Sequence, residues 1–487
     1  MAKMALQIYN TMTRKKEEFI PLKRNFVQLY TCGLTVYDYS HIGHARTYLF
    51  WDVVRRYFTH RGYDVFAIIN NTDIDDKNIS RAGELGVSYK LTGEFFTRAF
   101  YDDLRALGVR PYALDCTASD YIPEMIDTVQ RIVANGFGYV VDGDVFFAVE
   151  KFSGYGKLSG HKLEDLAAGS RVEVDERKHH PADFALWKAV KPGEPSWESP
   201  WGAGRPGWHV ECSSMAYHFF GGTYDIKGGA VDNMFPHHEN EIAQTFAAYG
   251  IPLAKYYMHP EHFLVEGTKM SKSLGNFVTT RAMLKDWSPA ELRLYFLGTH
   301  YRAQMNLTSD GLTSSRAAWE RFRQFRNVAS DALKKAGAEA QSVTDLAKAD
   351  AESPWSKLAQ AAEDAFTAAM DDDFNTPRAL ASVQEFMTEA YKLGIEGVSD
   401  TASFASALGR FEELAGVLGL DESSSLTSTG LQGDNNIFAG LVESFISRRN
   451  KARADKDFAL ADLIRDLLRE GGVVIEDAAS GTRWMVE

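Results

Sequence analysis

Cysteine is scarce in this chain: three among 487 residues, at positions 32, 116 and 212. An odd, sparse set is poor material for a disulfide framework and suits a reducing compartment. No Cys-x-x-Cys pair occurs, so no short-range thiolate motif for zinc is present. Long apolar runs are missing as well, and none reaches the roughly 20 residues that span a bilayer. The stretch from Met1 to Phe19 is polar and mixed in charge, without an apolar core before a small-residue cleavage site. A cytoplasmic protein with no membrane partner is expected. Positive charge is in deficit, with 53 Lys and Arg against 66 Asp and Glu and a net charge of −13. That excludes a histone-like or coat role. It leaves a nucleic-acid substrate open, because binding follows local basic patches rather than the sum.

Apolar material is plentiful, at 45% of residues with 12% aromatic. The length predicts roughly two to four domains. Residues 22 to 70 read as strand (Phe26–Tyr30), helix (Ala45–Arg61) and strand (Val65–Asn70), the opening unit of a doubly wound parallel α/β sheet. Between strand and helix lies Tyr30-Thr-Cys-Gly-Leu-Thr-Val-Tyr-Asp-Tyr-Ser-His-Ile-Gly-His44. A turn into a helix N-terminus gathers unpaired N–H groups and the positive end of a helix dipole, which suits phosphate. His41 and His44 sit on the first turn, and Gly43 leaves room for a ligand. Alone, this pattern is equally a capped helix start. Far along the chain, Lys269-Met-Ser-Lys-Ser273 carries Lys269 and Lys272 in a Gly- and Ser-bearing loop.

The second strand ends in Asn70-Asn-Thr-Asp-Ile-Asp-Asp-Lys77, polar residues where doubly wound sheets bind ligands. About 115–205 reads as an insertion, with a hairpin around Gly136–Glu150. The sheet is predicted to resume as a strand near Gly207–Cys212, then Tyr224–Ile226, with a helix from His237 and a strand at Tyr256–His259. From about Pro289 the 3.6-residue spacing predicts a helical bundle. Residues 421–437 have linker composition. A small mixed α/β module follows at 438–487, with Arg448, Arg449, Lys451, Arg453 and Lys456 close together as candidates for a phosphate backbone. The expected domains are 1–288, 289–420 and 438–487.

Cys32 follows the first strand, Cys212 lies in the second half of the sheet, and His237 and Glu241 project from one helix face. Two thiolates, an imidazole and a carboxylate form a tetrahedral zinc set if they converge; core packing of both cysteines is the competing reading.

The paired segments resemble the signatures of class I aminoacyl-tRNA synthetases. Together with Thr72-Asp-Ile-Asp-Asp-Lys77, Trp208-His-Val-Glu-Cys-Ser213, Phe235-Pro-His-His-Glu-Asn-Glu241, Met370-Asp-Asp-Asp-Phe-Asn-Thr-Pro377 and Lys456-Asp-Phe-Ala-Leu-Ala-Asp462, they are similar to the cysteinyl-tRNA synthetase family over essentially the whole chain. Leu34, Ala230 and Asn233 depart from the family's usual Pro, Gly and Leu. The resemblance implies a Rossmann-like catalytic domain, one Zn2+ held by Cys32, Cys212, His237 and Glu241, and ATP with Mg2+ at His41, Gly43, His44, Lys269 and Lys272. His41, His44, Lys269 and Lys272 would be the catalytic groups; Gly33, Thr72, Trp208 and Asp232 would contact the substrate. It further implies activation of L-cysteine to cysteinyl-adenylate and transfer to tRNA(Cys), by a monomer and without an editing domain. Rival readings are a cysteine–amino sugar ligase of the mycothiol-synthesis type and a non-catalytic relative that binds tRNA or zinc.

Overall fold

The computed structural model describes residues 5–168, 175–270, 276–336, 349–421, 435–478 and 481–486. A hairpin, β1 (Gln7–Asn10) and β2 (Lys15–Glu18), precedes the central strand β3 (Phe26–Thr31). Helix α1 (Ile42–His60) returns the chain to β4 (Asp64–Asn71); α2 (Asp76–Leu85) and α3 (Tyr89–Ala106) then lead to β5 (Leu114–Thr117). After α4 (Ile122–Ala134), strands β6 (Gly138–Val141) and β7 (Asp144–Phe147), the short α5 (Leu163–Ala168), β8 (Phe184–Ala189) and β9 (Gly204–Pro206) form the insertion. Its four strands make a separate antiparallel sheet.

The main sheet resumes with α6 (Trp208–Phe220), β10 (Tyr224–Gly228), the single turn α7 (Val231–Asn233), α8 (Glu239–Tyr249) and β11 (Ala254–Met258). Its order is β11-β10-β3-β4-β5, parallel throughout. The chain runs outward from β3 to β5, then jumps back to add β10 and β11 on the other side. The crevice beyond the carboxyl ends of β3 and β10 is thus a topological switch point, where such sheets bind ligands. The expected strand at Gly207–Cys212 is instead the start of α6. Every residue from His209 to Ala216 is buried, polar His209, Glu211, Ser213 and Ser214 included, so polarity does not mark a solvent face with a helical period.

A small sheet joins β12 (Phe263–Val265), β13 (Thr268–Lys269) and, after α9 (Thr280–Asp286) and α10 (Pro289–Leu297), β14 (Met305–Leu307). The bundle is α11 (Ser309–Lys335), α12 (Pro354–Asp371), α13 (Thr376–Lys392) and α14 (Thr401–Val417). It is anchored to α1 by buried charge: Asp52 accepts from Arg56 and Arg293, each at 2.7 Å, and Arg56 donates onward to Gly416 O. Most of the predicted linker, 422–434, lies outside the described residues. The last module comprises α15 (Asn435–Ala454), α16 (Phe458–Glu470) and the hairpin β15 (Val473–Ala478) and β16 (Gly481–Val486). One apolar core runs from Ile42 and Leu49 of α1 through Phe95 and Phe96 of α3 to Phe445 and Leu467 of this module. Among the described residues no helix is long and apolar enough to cross a membrane.

Candidate nucleotide and metal site

At the switch point lies a cavity of about 380 Å³. Gly33, Thr72, Trp208 and Asp232 line it, as do His41, Gly43 and His44 at one end and Cys32 and His237 at the other. Gly33 is required sterically, since a Cβ there would fall 1.5 Å from Asn70 O. The two polypeptide turns can approach this closely only without a side chain.

His41 is the N-cap of α1 and forms a reciprocal box with His44. His44 N–H donates to His41 Nδ1 at 3.2 Å, and His41 N–H donates to His44 Nδ1 at 3.3 Å. Each Nδ1 is therefore an acceptor, which places the ring proton of a neutral imidazole on Nε2. The rings stack at 3.4 Å, and burial together with His41 holds His44 well below the usual histidine range. Two Nε2–H donors thus stand at a helix N-terminus, that of His44 on a ring held neutral by burial. The backbone of Lys269 ends β13; its side chain, and all of Lys272, lie outside the described residues.

At the other end, one donor atom each from Cys32, Cys212, His237 and Glu241 lie within 4.8 Å of one another, and all four residues are buried. A zinc tetrahedron with ordinary bond lengths separates its ligand atoms by about 3.3–3.8 Å, so small side-chain adjustments close this set around an ion. Cys32 extends β3 beside β10, and its N–H donates to Gly228 O. Cys212 comes from the second turn of α6. His237 sits in an irregular turn, Met234–His238, rather than at the regular helix start predicted, and the Phe235–Pro236 peptide in this turn is cis.

The surroundings also fit a cation. His237 Nδ1 is 3.0 Å from His209 Nδ1, which turns Nε2 toward Glu241 Oε1 at 3.1 Å. An outer partner on the far ring nitrogen is the usual arrangement for a metal-binding histidine. Burial keeps His237 neutral, and burial with Cys32 alongside pushes the Cys212 thiol up. A thiolate here therefore needs nearby positive charge. Some comes from Lys227, unexposed, whose Nζ lies 2.6 Å from Glu241 Oε2. Burial opposes its charge, but Cys32 and Glu241 outweigh that and hold it protonated. His238, the neighbour of His237, lies 3.3 Å from Cys32 Sγ through Nε2 and is hydrogen-bonded to His259 through Nδ1 at 2.8 Å. Sequence reasoning missed Lys227, although a lysine inside the apolar strand Tyr-Asp-Ile-Lys-Gly was a signal for it.

Between the two ends, Thr72 donates to the buried Glu211 at 2.6 Å, and Trp208 stacks on His237 at 4.5 Å. Asp232 stands at the mouth, 60% exposed and 3.4 Å from His262. Cys116 is apart from the cluster, a core residue donating to Ile69 O. In the basic stretch of α15, Arg449 and Arg453 are both spent on Asp477. Lys451 and Lys456 remain exposed.

A parallel sheet with its switch-point cavity and capped histidine turn is the architecture of a class I aminoacyl-tRNA synthetase. The family model described as "tRNA synthetases class I (C) catalytic domain" matches residues 18–317, and a DALR domain model matches 365–421. Among solved structures, Mycobacterium tuberculosis methionyl-tRNA synthetase with methionyl-adenylate aligns over 81% of this chain and 90% of its own, at TM-score 0.57 and 15% identity. A LeuRS–tRNA ternary complex from Agrobacterium radiobacter K84 aligns over 84% and 87%, at TM-score 0.59 and 12% identity. Cysteine–tRNA ligases from Heliobacterium modesticaldum and Alkalilimnicola ehrlichii are each 45% identical over 99% of this chain, covering 99% and 100% of those proteins. The chain belongs to the cysteinyl-tRNA synthetase family.

Proposed function

We propose that this protein joins L-cysteine to tRNA(Cys) in two steps, consuming ATP, and that Cys32, Cys212, His237 and Glu241 hold one zinc ion that selects the amino acid. The carrying observation is the convergence of those four donors at one end of a cavity whose other end is the histidine-capped turn. In the first step the cysteine carboxylate attacks the α-phosphorus and pyrophosphate leaves. The Nε2–H groups of His41 and His44 donate to the phosphoryl oxygens as charge builds there, with no side-chain reorganisation required. Gly43 leaves space for the nucleotide. Lys269 and Lys272 hold the β- and γ-phosphates, whose charge Mg2+ shares. The Thr72 hydroxyl donates its hydrogen bond to Glu211 and accepts a long one from Asn70, so a lone pair is left for the substrate ammonium. Gly33 and Trp208 wall the side-chain pocket, and Asp232 reaches the ammonium or ribose from the mouth. When bound, zinc accepts sulfur in preference to an alcohol oxygen and lowers a thiol's pKa. A pocket built on shape alone would separate such near-isosteres by only about 10–200-fold.

In the second step the cysteinyl group passes to the 3′ end of the tRNA. The partition into 1–288 for catalysis, 289–420 for the stem, and 438–487 for the anticodon belongs to this proposal, with Lys451 and Lys456 facing the phosphate backbone. Nearly complete coverage of cysteine–tRNA ligases, with the DALR match, disfavours an amino-sugar ligase. The test is cysteine-dependent ATP–pyrophosphate exchange followed by charging of a tRNA(Cys) transcript. Both are expected; exchange without charging would reject tRNA as the acceptor, and no exchange would reject the activity.

A further inference from the structure

Residues 278–280 run back along the first nucleotide segment. Ile42 N–H donates to Val278 O at 3.0 Å, Thr280 N–H donates to Ser40 O at 2.9 Å, and His41 and Thr279 pair as an antiparallel bridge. The histidine turn and the chain leaving the lysine loop are thus one short ladder, locked from outside by side chains that the proposed chemistry does not use. Ser40 Oγ is hydrogen-bonded to Asp103 Oδ2 at 2.6 Å and to Thr280 Oγ1 at 2.8 Å. Asp103, on α3, is 3% exposed, and its other oxygen lies 2.9 Å from Arg281 Nε. Arg281 donates from Nη2 to Ala99 O and from Nη1 to Gly471 O, both at 2.8 Å, with its guanidinium 4.7 Å from the centre of the Tyr39 ring. Tyr39 donates to Leu467 O at 2.7 Å.

Leu467 and Gly471 belong to the C-terminal module. The carboxyl end of α16, where the dipole is negative, therefore rests on a cation and a hydroxyl flanking the nucleotide ladder; Leu467 O accepts from Tyr39 in addition to the Gly471 N–H. The docking also has apolar packing, with Phe95 and Phe445 in ring contact at 4.9 Å. A guanidinium braced on α3, the Tyr39 ring and the end of α16 at once has a fixed fork geometry that an ammonium cannot reproduce.

We infer that Ser40, Asp103 and Arg281 are positioning residues through which the docked C-terminal module sets the register of the histidine turn against residues 278–280. The inference rests on the reading of the cavity as an ATP and cysteine site. Its consequence is that a residue of the module, more than 400 positions from the histidine turn, governs a reaction that needs no tRNA.

Gly471 gives the cleanest handle. Its φ of −75° suits any residue, but a Cβ there would fall 2.2 Å from Tyr39 Oη. Gly471→Ala therefore wedges the module away from Tyr39 without straining its own backbone. Displacements near 1 Å at a reacting centre cost up to about 100-fold, so kcat for exchange is expected to fall roughly 10- to 100-fold in Arg281→Ala and about 10-fold in Gly471→Ala. The KM for cysteine should stay within about twofold, because the metal end of the cavity is not part of the relay. Arg281→Lys should not restore the rate. Gly471→Ala in a Tyr39→Phe background should lose much less than in the parent, since the clashing oxygen is gone. Unchanged exchange in Gly471→Ala with impaired tRNA charging would overturn the relay, and so would equal losses in both backgrounds. A wild-type chain without exchange would overturn the reading of the cavity itself and the relay with it.

Discussion

Replacing Lys227 by methionine removes a buried charge while keeping most of the side chain's volume. Lys227 and Glu241 are both unexposed, 2.6 Å apart, and the ammonium lies 4.4 Å from the centre of the Tyr30 ring. With zinc bound, two thiolates and a carboxylate are balanced by the dication and this ammonium together. At 2.6 Å the direct attraction is about 6 kcal/mol at an effective dielectric constant of 20. Burying the ammonium cancels several kcal/mol of that. What is left is of the order that outer partners of such sites carry, roughly 10–100-fold in metal affinity or about 1.4–2.7 kcal/mol. Competition of purified Lys227→Met against a chromogenic chelator near neutral pH measures the zinc dissociation constant, with far-UV circular dichroism as the check on folding. An affinity equal to or tighter than that of the wild type, in a folded variant, would refute the charge-balance reasoning.

Cys212→Ser should lose most of its bound zinc by elemental analysis, whereas Cys116→Ser should keep it and lose only about 1 kcal/mol of stability as a buried core substitution; equal zinc in both would reject Cys212 as a ligand. Burial pushes Asp103 up to about 6, against the pull of Arg281 and Ser40. The native state therefore binds more protons than the unfolded chain between about pH 4 and 6, and this residue's contribution falls by up to about 2–3 kcal/mol as pH rises through that window. In urea titrations Asp103→Asn should gain on the wild type from pH 4 to 7, and parallel profiles would contradict this. Arg293→Met should cost about 3 kcal/mol in the same assay, the low end for a broken buried pair, because Arg56 still holds Asp52; a loss under about 1 kcal/mol would show that the pair does not anchor the bundle.

The parallel sheet, the insertion hairpin and the bundle helices were legible because their apolar spacing has a clear period or clear turn residues at its ends. The segment from Trp208 to Ser213 was not. Apolar Trp208, Val210 and Cys212 alternate there with polar His209, Glu211 and Ser213, which is the period of a strand, and the polar residues are buried instead of marking a solvent face. Cys212 was therefore named as a candidate but placed on the wrong element. Cys32, His237 and Glu241 were readable as residue types, whereas Lys227, though out of place as a lysine within a strand, has a role only beside donors that the fold brings in from elsewhere in the chain. The basic stretch of α15 was misleading in a different way: the sequence does not display that Asp477, more than 20 residues on, neutralises Arg449 and Arg453. The docking of α16 against Tyr39 and Arg281 was beyond reach, since it runs through backbone carbonyls that any sequence possesses.

Zinc K-edge absorption on the loaded protein, alone and with cysteine or serine added, counts sulfur atoms at the metal. Two sulfurs are expected at rest, from Cys32 and Cys212, with one more at about 2.3 Å on adding cysteine and no change with serine. A sulfur count that does not rise with saturating cysteine would contradict selection of the substrate through its thiol.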